Sequence, residues 1–156
     1  MKEYSQDFLI NKALWDSRTQ VHVNSDFYDV EGFKAGHSYL IFIEQTEMGE
    51  VRGKSILHLQ CHFGLDSLSL TRSGARVTGV DFSMKAIEQA RSLGQDLGLD
   101  TEFICSNVYD LKKKLDRAYD MVFTSYGVIC WLPDLRKWAD VIHQFLKPGG
   151  RLYMVE

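Results

Sequence analysis

The stretch KSILHLQCHFGLDSLSLTRSGARVTGVDFS, Lys54–Ser83, decides the fold. Lys54–Leu59 is a compact apolar run that ends in a turn at Gly64, and a helical stretch follows over roughly Asp66–Ser73. Arg76–Val80 is a second apolar run, closed by Asp81, and Ser83 stands where a helix N-cap belongs. Ile87, Ala90, Gly94 and Leu97 then repeat at helical spacing until Gly98 stops them. Strand, turn, helix, strand, turn, helix is the rhythm of a parallel sheet with helical crossovers.

The rhythm continues outward. Thr101–Cys105 and Tyr119–Ser125 read as the third and fourth strands. Pro133-Asp134 opens a helix with the apolar stripe Leu135, Trp138, Ile142 and Phe145, and Lys147-Pro148-Gly149-Gly150 ends it before a fifth strand at Arg151–Val155. A doubly wound α/β domain with helices on both faces is therefore expected over residues 51–156. Residues 1–50 lack the rhythm. They hold Tyr4, Phe8, Trp15, Phe27, Tyr28, Phe33, Tyr39 and Phe42, with helices expected around Ser5–Arg18 and Ala35–Glu47. This layer either covers the sheet or forms a lid over a ligand site.

Composition narrows the function classes. The 156 residues are 45% hydrophobic and 25% charged, the profile of an ordinary globular domain. Eighteen basic against twenty-one acidic side chains give a net charge of −3, which argues against a phosphate backbone as main partner. The one basic cluster, Lys112, Lys113, Lys114 and Arg117, reads as a solvated loop. No apolar run approaches the ~20 residues that span a bilayer, and the charged start Met1–Ile10 has no signal-peptide pattern. The cysteines Cys61, Cys105 and Cys130 are odd in number and widely spaced, as in reduced cytoplasmic proteins. No membrane partner and no nucleic acid are expected.

Ligands of open α/β sheets bind at the carboxyl ends of the strands, near the switch in strand order. Here those ends read Gln60–Gly64, Asp81–Ser83, Ser106–Asp110 and Ser125–Cys130, polar or small throughout. Asp81 lies 17 positions past Gly64, where a carboxylate suits a grip on two ribose hydroxyls. The bland alternative is a charge at the positive end of the helix that follows, and the preceding loop favours the ribose. A dinucleotide is disfavoured, because Gln60-Cys61-His62-Phe63-Gly64 has one glycine where a pyrophosphate wants three. Gly53-Lys54-Ser55 resembles the end of a P-loop, yet it precedes its strand instead of following one. His58, Cys61 and His62 lack a second ligand cluster, so no metal is expected.

The phrases SILHLQCHFG, ARVTGVDFS, NVYDL, YDMVFTSYGVICWLPD and LKPGGRLYMVE, in this order, resemble the class I S-adenosylmethionine-dependent methyltransferases. The likeness is strongest to a bacterial branch carrying the LHLQCHFG loop. It implies a Rossmann-like sheet of strand order 3-2-1-4-5, an N-terminal helical cap over residues 1–50, and S-adenosylmethionine as methyl donor, with S-adenosylhomocysteine as product. It implies that Gln60, Cys61, His62 and Gly64 wrap the methionine part, Asp81 holds the ribose and Phe82 packs on the adenine. Asn107 and Val108 would face the adenine edge, Ser125 and Tyr126 would lie under the sulfonium, and Tyr28 would close over the cofactor.

Family loops usually run acidic-x-Gly-x-Gly-x-Gly, and His58, Gln60, His62 and Gly64 stand in those places. His62 would either meet the cofactor carboxylate or fill space as a neutral ring. The family also continues past the fifth strand with a closing antiparallel pair, so the chain reads as truncated there. A homodimer through the exposed fifth strand is the matching expectation. The implied reaction is methyl transfer to a small-molecule acceptor; a non-catalytic ligand-binding or assembly module of the same fold is the alternative. The catalytic residue is left open, with His22, His37, His62 and Tyr126 as candidates for a base. Trp15, Tyr39 and Trp131 are candidates for lining an acceptor pocket.

Overall fold

A computed structural model describes residues 5–156, so Tyr4 lies outside the described residues. Its centre is a five-stranded parallel sheet of β1 (Ser55–Leu59), β2 (Arg76–Asp81), β3 (Glu102–Cys105), β4 (Tyr119–Thr124) and β5 (Leu146–Met154). The order is β3-β2-β1-β4-β5, as expected. Parallel strands are covered on both faces, which is why β1, β2 and β4 are near-continuous apolar runs. Leu57, Leu59, Val80 and Val122 pack beneath α6 (Leu135–Phe145) and a 3₁₀ turn at Val108–Lys113. On the opposite face Phe103 packs among Leu65 and Leu68 of α4 (Leu65–Arg72) and Ile87, Ala90 and Leu93 of α5 (Met84–Asp96). Ile56, Val77, Met121 and Phe123 meet Leu40, Met48 and Leu70 at its far end.

The N-terminal layer differs from its expected form. The first helix, α1, runs Ser5–Val23, past Arg18. The single helix expected near 35–47 is instead two short ones, α2 (Val30–Lys34) and α3 (Phe42–Met48). Gly36 at φ 111° breaks between them, and the chain then runs over α4, with the Tyr39 N–H donating to Ser69 Oγ at 2.9 Å. The basic cluster is also more than a solvated loop. Lys114 donates to the Cys105 carbonyl, and Arg117 pairs with Glu102 while donating to the Tyr119 hydroxyl and Thr78. Both tie the segment before β4 to the edge strand β3.

All five strands point their carboxyl ends at one edge, where α1 crosses them. At one end of α1, Phe8 meets Tyr109 edge-on at 5.9 Å. In the middle, Asp16 accepts the Ser83 hydroxyl at 2.6 Å and the Lys85 N–H at 3.2 Å, docking the helix on the start of α5. At the other end, His22 reaches the loop after β1.

Gly79 of β2 shows how tightly this face is packed. A Cβ there would stand 2.7 Å from the Phe103 ring and 3.0 Å from the Cys61 sulfur. Gly79→Ala is expected to cost about 1–3 kcal/mol, as overpacked cores do. The measurement is the urea midpoint of the variant against wild type.

Candidate functional site

The loop after β1 has to turn the chain from the sheet into α4 within five residues, Gln60–Gly64. It does so by alternation: Gln60 (φ 53°), His62 (φ 51°) and Gly64 (φ 81°) are all left-handed. The two places without glycine keep the left-handed backbone at an order of 1–3 kcal/mol each. Gly64 is required twice, by its φ and because a Cβ there would meet the Phe103 ring at 2.7 Å.

Three sets of contacts hold this strained turn. The Asp81 carboxylate accepts the His62 N–H at 2.9 Å and the Ser83 N–H at 2.8 Å, tying the first loop to the second. The Cys61 N–H donates to the Val80 carbonyl at 2.9 Å. His62 Nδ1 accepts the Phe63 N–H at 2.7 Å, so its ring proton sits on Nε2 and donates to His22 Nδ1 on α1, 2.8 Å away. Burial, with His22 beside it, brings the His62 pKa down to about 3. The ring is neutral and both its nitrogens are engaged.

These loops wall a cavity of about 230 Å³ at the switch between β1 and β4. Gln60, Cys61, His62, Gly64, Asp81, Phe82, Ser125, Tyr126 and Tyr28 all line it. Asn107 and Val108 do not. The Asn107 side chain instead accepts the Tyr109 N–H at 3.1 Å, capping the 3₁₀ turn, and Val108 is buried against the α6 layer. Of the candidate bases, His22 touches the cavity through His62, while His37 does not line it. Trp15, Tyr39 and Trp131 complete an aromatic wall with Phe27, and Tyr28 stacks on Tyr39 at 5.9 Å over the loop.

Two groups carry more chemistry here than the sequence signalled. Asp66, in the first turn of α4, lines the cavity and accepts a hydrogen bond from Ser125. Burial pushes its pKa up to about 7; the nearby Glu44 adds to the rise and the Ser125 bond opposes it. Glu44 of α3 is buried, accepts the Ile41 N–H at 2.6 Å and is bonded by Tyr126, and burial raises its pKa too. An acid in the first turn of a helix is ordinary, so neither residue stood out. Behind them His58 is fully buried, with Nδ1 2.8 Å from Ser67 Oγ and Nε2 3.2 Å from Ser125 Oγ. Burial brings its pKa down to about 3, leaving a neutral imidazole inside the sheet.

Which groups fit a ribose-bearing ligand can be read from unused valences. The Asp81 carboxylate accepts the backbone N–H groups of His62, Ser83 and Phe82 and keeps one lone-pair site, at the end of β2 where a ribose would lie. Both side-chain atoms of Gln60 are buried without a partner, leaving an amide donor and acceptor at the first loop. The residues present fit a nucleoside with a polar tail.

Comparison with known proteins agrees with this geometry. A family model described as a methyltransferase domain matches residues 56–150. The ubiquinone biosynthesis O-methyltransferase of Photorhabdus laumondii is 30% identical over 136 residues, covering 84% of this chain and 56% of its own length. The chain thus spans just over half the length of the curated relatives it matches. Among solved structures, a complex of DhpI with SAH superposes with a TM-score of 0.67 at 24% identity, over 92% of this chain and 65% of that one. A protein of Pyrococcus horikoshii OT3 superposes at 0.64 with 26% identity, over 85% of this chain and 55% of that one. No helix among the described residues is long and apolar enough to cross a membrane.

The buried titratable groups set a pH dependence. His58 and His62, depressed to about 3, bind fewer protons folded than unfolded between that value and the usual ~6.5. Their contribution to stability therefore falls as pH drops through that window. Asp66 and Asp81, raised to about 7 and about 6, bind more protons folded than unfolded and act in the opposite sense above ~4. The two effects offset between about pH 6 and 4, so stability is expected to be nearly flat there and to fall steeply below 4. Asp66→Asn removes one native proton, and stability should then rise with pH across that window by about 1 kcal/mol per unit. Urea midpoints measured against pH read both.

Proposed function

The chain belongs to the methyltransferase-domain family, and we propose that it binds S-adenosylmethionine in the strand-end cavity and transfers its methyl group to a small-molecule acceptor. One observation carries this reading. Three loops far apart in sequence, Gln60–Gly64, Asp81–Phe82 and Ser125–Val128, converge on one cavity at the switch point of the sheet.

In this reading Asp81 grips the ribose hydroxyls, and Phe82 packs on the adenine with Asn107 and Val108 beyond it. Gln60, Cys61, His62 and Gly64 wrap the methionine part, the Gln60 amide gaining the partner it lacks. Ser125 and Tyr126 form the floor beneath the reacting carbon. The bound donor supplies a methyl group already activated on a sulfonium, so the protein's work is orientation and exclusion of water. Orientation can be worth about 7–11 kcal/mol. Residues 5–50 act as a cap whose Trp15, Phe27, Tyr28 and Tyr39 shut the cavity. A small acceptor suits an aromatic-walled cavity in a chain with no excess of basic residues.

Calorimetric titration with S-adenosylhomocysteine tests the reading. Wild type should bind at micromolar strength, and Asp81→Ala should lose about 1.5–3 kcal/mol, the scale of hydrogen bonds to a charged group. A folded wild type with no affinity supports the non-catalytic module instead. A second copy pairing along the edge strand β5 also belongs to this proposal; light scattering that finds only monomer at every concentration removes it.

A further inference from the structure

We propose that Asp66 is the general base of the site, and that the acceptor it serves is a hydroxyl on an aromatic or apolar small molecule. The inference rests on the methyl-transfer reading above and names the acceptor class for the same cavity.

Elimination leads to Asp66. His62 has both ring nitrogens engaged, and His22 uses Nδ1 to accept from it, which leaves only a donor on the other nitrogen. The Asp81 oxygens serve three backbone N–H groups at the ribose end. Glu44 is held by the Ile41 N–H and Tyr126. Asp66 faces the cavity with Ser125 beside it, and no lysine or arginine lines that cavity. No cationic side chain therefore weakens the carboxylate as a base, and the rings of Trp15, Phe27, Tyr28, Tyr39 and Trp131 suit an apolar or aromatic body.

A relay behind Asp66 fits both of its protonation states. With the carboxylate ionised, Ser125 donates to it, His58 Nε2–H donates to Ser125 and Ser67 donates to His58 Nδ1. Once Asp66 holds a proton the chain reverses: Asp66 donates to Ser125, Ser125 to Nε2, and Nδ1–H to Ser67. A neutral imidazole between two hydroxyls allows this by changing tautomer. The groups facing Asp66 are Glu44 from α3, Tyr28 and Tyr39 from the cap, Tyr126 and Ser125 after β4, Cys61 from the first loop and His58 from β1. Burial and the nearby Glu44 together hold Asp66 at about 7, the useful strength for a base there.

In the step, the acceptor oxygen forms a bond to the methyl carbon as its O–H proton passes to an Asp66 oxygen. The carbon–sulfur bond breaks, and its electron pair stays on sulfur, which becomes a neutral thioether. Asp66 then returns the proton to solvent.

The experiment compares wild type, Asp66→Asn and Asp66→Glu. S-Adenosylhomocysteine should bind all three within a few fold by calorimetry; no binding by wild type overturns the cofactor reading, and this proposal with it. In carbon-13 spectra of the aspartate carboxyls, a signal titrating near pH 7 should vanish in Asp66→Asn and shift when phenol is added to the wild-type complex. Methyl transfer from S-adenosylmethionine is then followed to phenol and to 4-nitrophenol, the second at a pH where it is already ionised. Asp66→Asn should slow transfer to phenol by about 100-fold or more, the scale of general-base catalysis, and transfer to the nitrophenolate far less. Asp66→Glu should recover part of the phenol rate. Equal losses on both probes, no loss on either, an unmoved carboxyl signal, or a cofactor-binding wild type that methylates neither probe overturns the assignment. Asp66→Asn replaces a buried acid by its neutral isostere and should melt no lower than wild type.

Discussion

A parallel strand that ends inside a protein must hand its chain to a helix without burying unpaired backbone, and here β1 has five residues in which to do it. Left-handed backbone at Gln60, His62 and Gly64 makes the turn, and nearly everything in the cavity follows from holding it. Two of those residues carry a Cβ, so the conformation needs support from outside the loop. Asp81 supplies it by accepting the His62 N–H, and α1 supplies it through the His22–His62 bond. The N-terminal layer is thus part of the site and not merely its cover. In this arrangement a side chain at a place suited to glycine becomes useful: the His62 ring pins the cap to the loop, and the Gln60 amide adds a donor and an acceptor.

Around the turn, burial dominates the electrostatics. Two imidazoles are kept neutral and two carboxyls are brought toward neutrality by the same desolvation, which disfavours the charged form of either kind. A cavity walled by rings can hold such groups because hydrogen bonds, not counter-ions, satisfy them: Ser67 and Ser125 on His58, Ser125 on Asp66, three backbone N–H groups on Asp81. At the opposite end of the sheet the solution is different. Asp120 is held well below the usual carboxylate range by Lys147 and by the Ser55 N–H and hydroxyl, in contact with solvent. One end of the sheet is tied by a solvent-facing charge pair; at the other, burial shifts the titratable groups toward their neutral forms.

The alternation of apolar runs with helical spacing was legible from Lys54 onward, because a doubly buried strand and an amphipathic crossover each leave a local pattern. Asp81, Gly64 and the Ser83 cap were legible for the same reason: each answers a local need of a strand end or a helix start. The split of the expected helix at 35–47 was less so, since Gly36 is tolerated in a helix until tertiary contacts such as Tyr39 to Ser69 favour another path. Asn107 stood at a strand end with the right chemistry, yet its amide became the cap of its own turn.

By itself, then, the order of residues determined the doubly wound sheet, its strand ends and the loops that meet at its switch point, since these depend on spacing and on the conformational limits of single residues. Only the tertiary structure decided that Asp66 comes near Glu44, that His22 reaches His62 across 40 positions, and that His58 lies between two serines. Such meetings depend on how separate elements pack and on the low dielectric they create. A carboxylate two residues past a glycine carries no mark of that until the fold closes over it.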